Sequence, residues 1–235
     1  MDVGKVIPRT RFALKHPKVA LGYLRFGKEG FTRHQISNLI EVDKATVAKV
    51  YGSILDDTEL ERQIGEALSG VFYGQVSFTV GHLLYALCRL LKPKVVVETG
   101  VSSGVSSAFI LKALKDNSGG ILHSIDLPAL PPGLKVGFVV PKDLESSWNL
   151  HLGVSSQLLP KLISDLEAVD IFVHDSEHTY VNMMFEYETA WPWIREGGLL
   201  LSDDVNRNQA FGEFAHRINR RVRFLYGRGF AGLCK

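Results

Sequence analysis

Two short stretches carry more chemistry than packing needs: VHDSEHTY at residues 173–180 and LLSDDV at residues 200–205. Each contains or follows an apolar run that reads as a buried strand, so Asp175 and the Asp203–Asp204 pair stand at strand ends. If those strands are neighbours the three carboxylates converge, and carboxylates at one point repel unless a proton or a cation holds them. All-oxygen ligation suits a hard divalent ion such as Mg²⁺, Ca²⁺ or Mn²⁺, with open positions left for substrate oxygens. Such an ion would polarise a bound hydroxyl, after which a nearby base takes the proton. His178 lies three residues beyond Asp175, and an imidazole pKa of about 6.5 suits that work. A cap on the following helix is the equal alternative for His178. Arg207 and Asn208, just after the double acid, read either as substrate contacts or as surface residues.

A third stretch, KVVVETGVSSG at residues 94–104, reads as a strand feeding a ligand-type loop. Val95, Val96 and Val97 suit a parallel strand buried on both faces, and Glu98, Gly100 and Gly104 stand where the chain must turn into a helix near Ser106 to Leu114. The dinucleotide fingerprint wants glycine at its first, third and sixth positions, whereas Gly100 is followed by Val101, Ser102, Ser103 and then Gly104. That spacing counts against NAD. The next apolar run, Ile121 to Ile125, stops at Asp126, 22 residues beyond Gly104 and about where such folds place an acid for ribose hydroxyls. A single acid at a strand end is more often a cap or turn former. A run of strands that all end in carboxylates is hard to explain by packing alone.

These residues need a parallel sheet to bring them together, and the chain alternates strand and helix patterns as such a sheet requires. Beyond the two strands above, strands are expected at Leu150 to Val154, Val169 to Val173 and Leu199 to Leu201, with a closing hairpin of Val222 to Tyr226 and Phe230 to Cys234. Helices are expected at Gln157 to Leu166, from Tyr180 to about Ile194 with Gly197 and Gly198 as its stop, and at Phe211 to Ile218. Leu127 to Val140, rich in proline, is a loop that either walls the site or is an inert excursion. Ahead of the sheet, helices are expected at Arg33 to Glu41, Lys44 to Leu55, Thr58 to Leu68 (capped by Asp56 or Asp57) and Ser77 to Leu91. Residues 1–73 therefore divide off as a basic arm and helical lead-in, with the main domain at 74–235.

Hydrophobic residues make up 46% of the 235 and charged ones 22%, a globular balance. Cys88 and Cys234 have no metal-type spacing and suggest no disulfide framework. No early apolar run is long enough for a signal peptide or membrane span, so the cytoplasm is the default expectation. The net charge of +2 hides +6 on residues 1–36, +6 on residues 207–235 and −10 between them. Basic ends either meet a polyanion such as nucleic acid or fold back on the acidic middle. Apolar residues on the lead-in helices leave a homodimer open.

VVVETGVSSG, SIDLP, VDIFVHDSEHTY and GGLLLSDDV, in that order, resemble the pattern of class I S-adenosylmethionine-dependent methyltransferases. The last two pieces resemble the branch of macrocin-type sugar O-methyltransferases and cephalosporin-hydroxylase-like proteins. The resemblance covers about Gly74 to Val205 and implies an α/β fold, a doubly wound, mostly parallel seven-stranded sheet with an N-terminal helical extension. It implies a metal-assisted O-methyltransferase for a small hydroxylated substrate, with S-adenosylmethionine and Mg²⁺ as cofactors. By that likeness Glu98, Gly100, Ser102, Ser103 and Gly104 hold the methionine end and Asp126 the ribose, while the adenine region, without the family's usual Asp, falls to backbone groups or Ser155. Asp175, Asp203 and Asp204 would ligate the metal and His178 would be the base. Two departures stand out: Gly153-Val154 replaces the family's common Gly-Asp, and Asp203 stands where a Glu is frequent. The second reading is a nucleic-acid-binding protein or nucleic-acid methyltransferase that uses the basic termini, although no Asn/Asp-Pro-Pro-aromatic segment follows the fourth strand.

Overall fold

The computed structural model describes residues 30–71, 76–227 and 229–235. The expected basic arm, up to residue 29, and the 73/74 boundary lie outside the described residues. The elements run α1 (30–40), α2 (Lys44–Asp56), α3 (Glu59–Ala67), α4 (Phe78–Leu91), β1 (Val95–Thr99), α5 (Val105–Asp116), β2 (Ile121–Asp126) and β3 (Trp148–Leu152). They continue with α6 (Ser155–Leu166), β4 (Val169–His174), α7 (Tyr180–Ala190), β5 (Ile194–Ser202), α8 (Ala210–Arg217), β6 (Arg223–Tyr226) and β7 (Phe230–Cys234). The seven strands form one sheet in the order β3-β2-β1-β4-β5-β7-β6, with β7 antiparallel to both its neighbours.

Alternation along the strands divides the core between two faces. Val96, Leu122, Ile171, Val173, Leu199 and Leu201 pack with α4 and α5, and residues of α1, α2 and α3 (Ile36, Tyr51, Ile64) join the same cluster. Val97, Ile125, Phe172 and Leu200 face the other way, against Leu159 of α6, Met183 and Tyr187 of α7 and Phe214 of α8. No described helix is long and apolar enough to cross a membrane.

Several element bounds differ from expectation for local reasons. The helix after β4 ends at Ala190, Pro192 lies in a 3₁₀ turn over Trp191–Trp193, and β5 runs straight through Gly197 and Gly198. The glycines serve a register shift: pairing between β4 and β5 slips between Val169 and Ile171, and a Cβ on Gly198 would stand 2.7 Å from the Asp170 carbonyl oxygen. β3 starts at Trp148 and not at Leu150, because Trp148 pairs with Leu122 and its indole N–H donates to Ser124 Oγ at 2.9 Å. Thr58, without a side-chain bond, occupies the N-cap of α3, while Asp57 faces Lys112 at 3.2 Å.

Candidate functional site

Register explains why the strand-end residues meet. Thr99 pairs with Ile125 and His174, and His174 with Ser202. The ladder goes one row further: Gly100 N–H donates to Ile125 O at 2.9 Å, Asp175 N–H to Thr99 O at 2.8 Å and Asp203 N–H to His174 O at 2.9 Å. Gly100, Asp175 and Asp203 are thereby fixed side by side at the carboxyl ends of neighbouring parallel strands. A cavity of about 590 Å³ opens there, a size suited to a small organic ligand. Gly100, Ser102, Asp126, Ser155, Asp175 and His178 are among the residues that line it, as are Asp203, Asp204 and Arg207.

The glycine loop is held from below. Asp126 accepts from the Val101 and Ser102 N–H groups at 2.9 and 2.6 Å and from its neighbour Leu127 at 2.7 Å. Its carboxylate therefore shapes the loop while still facing the cavity. Gly100 has φ +85°, and a Cβ there would stand 2.0 Å from the Asp175 carbonyl oxygen, so only glycine lets the first and fourth strand ends approach. Gly104, at φ +101°, gives way to Gly137 in the same manner, 2.7 Å from where its Cβ would be. The 127–140 segment thus buttresses the loop: Gly137 and Val139 N–H groups donate to the Ser102 and Ser103 carbonyls at 2.9 and 3.1 Å.

Three of the expected cofactor contacts are not on the cavity wall. Glu98 and Ser103 are fully buried, and Gly104 is committed to its contact with Gly137. Glu98 Oε2 accepts from Ser107 and Ser124 at 2.6 and 2.9 Å. Burial pushes its carboxyl pKa up against the hydroxyls that pull it down.

His178 stands between two carboxylates. Its Nε2 is 3.6 Å from Asp175 Oδ1 and its Nδ1 is 3.8 Å from Asp204 Oδ2, ion-pair separations longer than hydrogen bonds. The Asp175 side chain is 21% exposed. Desolvation pushes its pKa from 3.8 up to about 7, His178 holds it back, and Asp203 adds repulsion. Desolvation lowers the pKa of His178, but Asp175, Asp204 and Asp203 outweigh it, so the imidazole sits above its ordinary value. Desolvation and the charge of Asp204 likewise raise Asp203 against a backbone hydrogen bond.

One residue behind this group, Glu186, shows no signal at a strand end, and a second, Asn208, takes a role other than the two it was offered. Glu186 is fully buried on α7 and accepts from Thr99 Oγ1 at 2.5 Å, Ser176 Oγ at 2.8 Å and His174 Nδ1 at 2.6 Å. It ties the ends of β1 and β4 to the loop carrying Asp175, and the His174 ring lies edge-on to that of His178 with centroids 5.4 Å apart. A charged residue within the inward stripe Met183, Met184, Glu186, Tyr187, Ala190 was the available signal. Asn208, left open as surface or substrate contact, donates from Nδ2 to the His178 carbonyl at 3.0 Å and accepts from Ala210 N–H at 2.8 Å. Arg207 lines the cavity and pairs with Asp204 Oδ2 at 2.9 Å.

Asp175, Asp203 and Asp204 offer the hard oxygens Mg²⁺ prefers. Their arrangement does not fit one, because His178 stands between Asp175 and Asp204, and Arg207 occupies Asp204. Among the described residues no group of three or more His, Cys, Asp and Glu side chains is set to hold a metal ion.

The segment that carries these residues has counterparts in known proteins. A family model described as a methyltransferase domain matches residues 97–205, the span from β1 to the double acid. A presumed O-methyltransferase of Mycobacteroides abscessus is 30% identical over 134 residues, covering 57% of this chain and 60% of the relative. The chain thus spans about three fifths of that relative's length. Among solved structures, the O-methyltransferase of Bacillus cereus in complex with SAH (S-adenosylhomocysteine) aligns with a TM-score of 0.57 at 18% identity, over 85% of this chain and 95% of that one. The SAH-bound methyltransferase of Podospora anserina also gives 0.57, at 14% identity over 74% and 86%. At such identities the likeness is one of fold, and it is the fold expected from the sequence.

Proposed function

We propose that this chain, which carries a methyltransferase domain of the class I fold over residues 97–205, transfers a methyl group from S-adenosylmethionine to the hydroxyl oxygen of a small molecule. One observation carries the reading: His178, flanked by Asp175 and Asp204, stands on the wall of the same cavity as Gly100, Ser102 and Asp126. The cavity fits the cofactor in size and in donor set, with Asp126, Ser102 and Ser155 as polar partners and Val76, Val101, Ile125 and Leu127 as apolar ones. When bound, S-adenosylmethionine supplies an electrophilic methyl group on a sulfonium.

The chain's own residues do the rest. His178 takes the proton of an acceptor hydroxyl, and the carboxylates facing its two ring nitrogens stabilise the imidazolium that forms. Asp175 orients the ring from Nε2, Asn208 fixes the His178 backbone, and Arg207 holds Asp204 against Nδ1. Residues lining the cavity would hold donor and acceptor together, and such positioning would supply much of the rate. The likeness to macrocin-type enzymes directs the search for acceptors to sugars as well as phenols.

The test is methyl transfer from methyl-labelled S-adenosylmethionine to a panel of sugars, phenols and catechols, in EDTA and then with Mg²⁺. Acceptor-dependent formation of S-adenosylhomocysteine is expected in EDTA, and His178→Ala should lower it roughly 10²–10⁴-fold. Full activity in His178→Ala would remove the base from the proposal. Turnover that vanishes in EDTA and returns with Mg²⁺ would recast Asp175, Asp203 and Asp204 as metal ligands.

A further inference from the structure

The basic excess near the C-terminus has no part in the chemistry above, and its residues fall into two groups. Arg207 pairs with Asp204, and Arg217 with Glu188. Arg220, Arg221 and Arg223, where α8 gives way to the edge strand β6, have no carboxylate at ion-pair distance among the described residues. All three line one cavity of about 480 Å³, whose remaining wall includes Leu39, Ile40 and Leu91. Glu41 is the single acidic side chain on that wall among the described residues. Lys235 also lines it, but its ammonium is bound to the Trp191 and Pro192 carbonyls at 3.0 and 2.9 Å.

This cavity is far from the first. It lies beside Gly197, near the start of β5, where Lys235 N–H donates to the Gly198 carbonyl at 3.0 Å. The methyltransferase cavity lies at the opposite, carboxyl ends of the parallel strands. At this concave, partly apolar spot like charges meet, Arg221 repelling Arg223. Burial and the adjacent Arg221 hold the Arg223 guanidinium below its ordinary pKa, and Glu41 offsets this only in part.

From this geometry we infer a second binding site, for a small organic phosphate: the Arg220–Arg221–Arg223 rim takes the phosphate oxygens and the Leu39, Ile40 and Leu91 wall takes the apolar part. Guanidinium forks match phosphate oxygens in shape and charge. A concave site of this size suits a nucleotide-sized ligand, whereas a nucleic-acid duplex asks for a broad, open basic surface.

The test is calorimetric titration of the full chain with inorganic pyrophosphate, ADP and a single-stranded oligonucleotide, at low and at physiological salt and with S-adenosylhomocysteine present. ADP is expected to bind more tightly than pyrophosphate, and both to weaken as salt rises. Arg220→Gln/Arg221→Gln, which leaves β6 untouched, should weaken both roughly tenfold or more, with S-adenosylhomocysteine binding and melting temperature unchanged. Arg221→Gln/Arg223→Gln should do the same. Absence of heat with pyrophosphate and ADP at low salt would overturn the inference, as would affinities indifferent to both double variants. Oligonucleotide binding far tighter than ADP, lost in the same variants, would replace the small ligand with nucleic acid.

Discussion

Replacing Asp175 by asparagine should make the protein more stable and less active at once. The carboxyl pKa rises from 3.8 to about 7 because the side chain is desolvated beside Asp203. A group whose pKa is raised by folding contributes its full stability below the unfolded value and loses it as pH climbs through the folded one. The wild-type protein therefore loses stability between about pH 4 and 8 as Asp175 ionises. The rise corresponds to at most ~4 kcal/mol, at about 1.36 kcal/mol for each pH unit. Solvent screening of the partly exposed side chain reduces this, and about 2 kcal/mol is the working figure. For a chain of this length that is a gain of roughly 4–8 °C in melting temperature at pH 8. The assay is thermal melting of wild type and Asp175→Asn from pH 4 to 9 in EDTA, beside turnover at each pH. The difference should be largest at pH 8 and close towards pH 4. A difference that is absent, or that does not vary with pH, would refute the reasoning.

Other predictions follow from the same geometry. The acid limb of the turnover profile should fall above the ordinary imidazole pKa, since the surrounding carboxylates raise His178, and Asp175→Asn should move that limb to lower pH. Gly100→Ala should cost roughly 2–4 kcal/mol in denaturant melts and abolish cofactor binding, because its Cβ meets the Asp175 carbonyl. Glu186→Gln should cost about 3 kcal/mol by uncoupling the buried pair with His174. The Glu186 carboxyl is held below its usual range, so its contribution is present above the unfolded value and lost as pH falls; the variant's deficit should shrink below about pH 4. Asn208→Ala should lower kcat more than it changes KM, as a mispositioned His178 affects chemistry before binding.

Strand ends were legible because strand patterns and acids coincide there. Val96 to Glu98, Ile125 to Asp126 and Val173 to Asp175 each show apolar residues giving way to a carboxylate, and the register of a parallel sheet aligns such ends. Glu98 misled for a physical reason: an acid at the end of β1 looks like a ligand contact in one dimension, yet its side chain turns inward onto Ser107 and Ser124. Asp126 does end β2, and its carboxylate accepts from two loop N–H groups, a task no strand pattern announces. Glu186 could not be placed, because its partners Thr99, His174 and Ser176 meet it only once α7 packs on β4. β5 was foreshortened because glycines within a strand signal a stop until the slipped pairing with β4 is known.

The most direct test of the account is calorimetric titration of S-adenosylhomocysteine into the wild-type protein in EDTA, repeated with Gly100→Ala. Binding at a single site is expected in the wild type without added metal, and none in the variant. No heat from the wild-type protein, with or without Mg²⁺, would contradict it and leave the glycine loop as architecture alone.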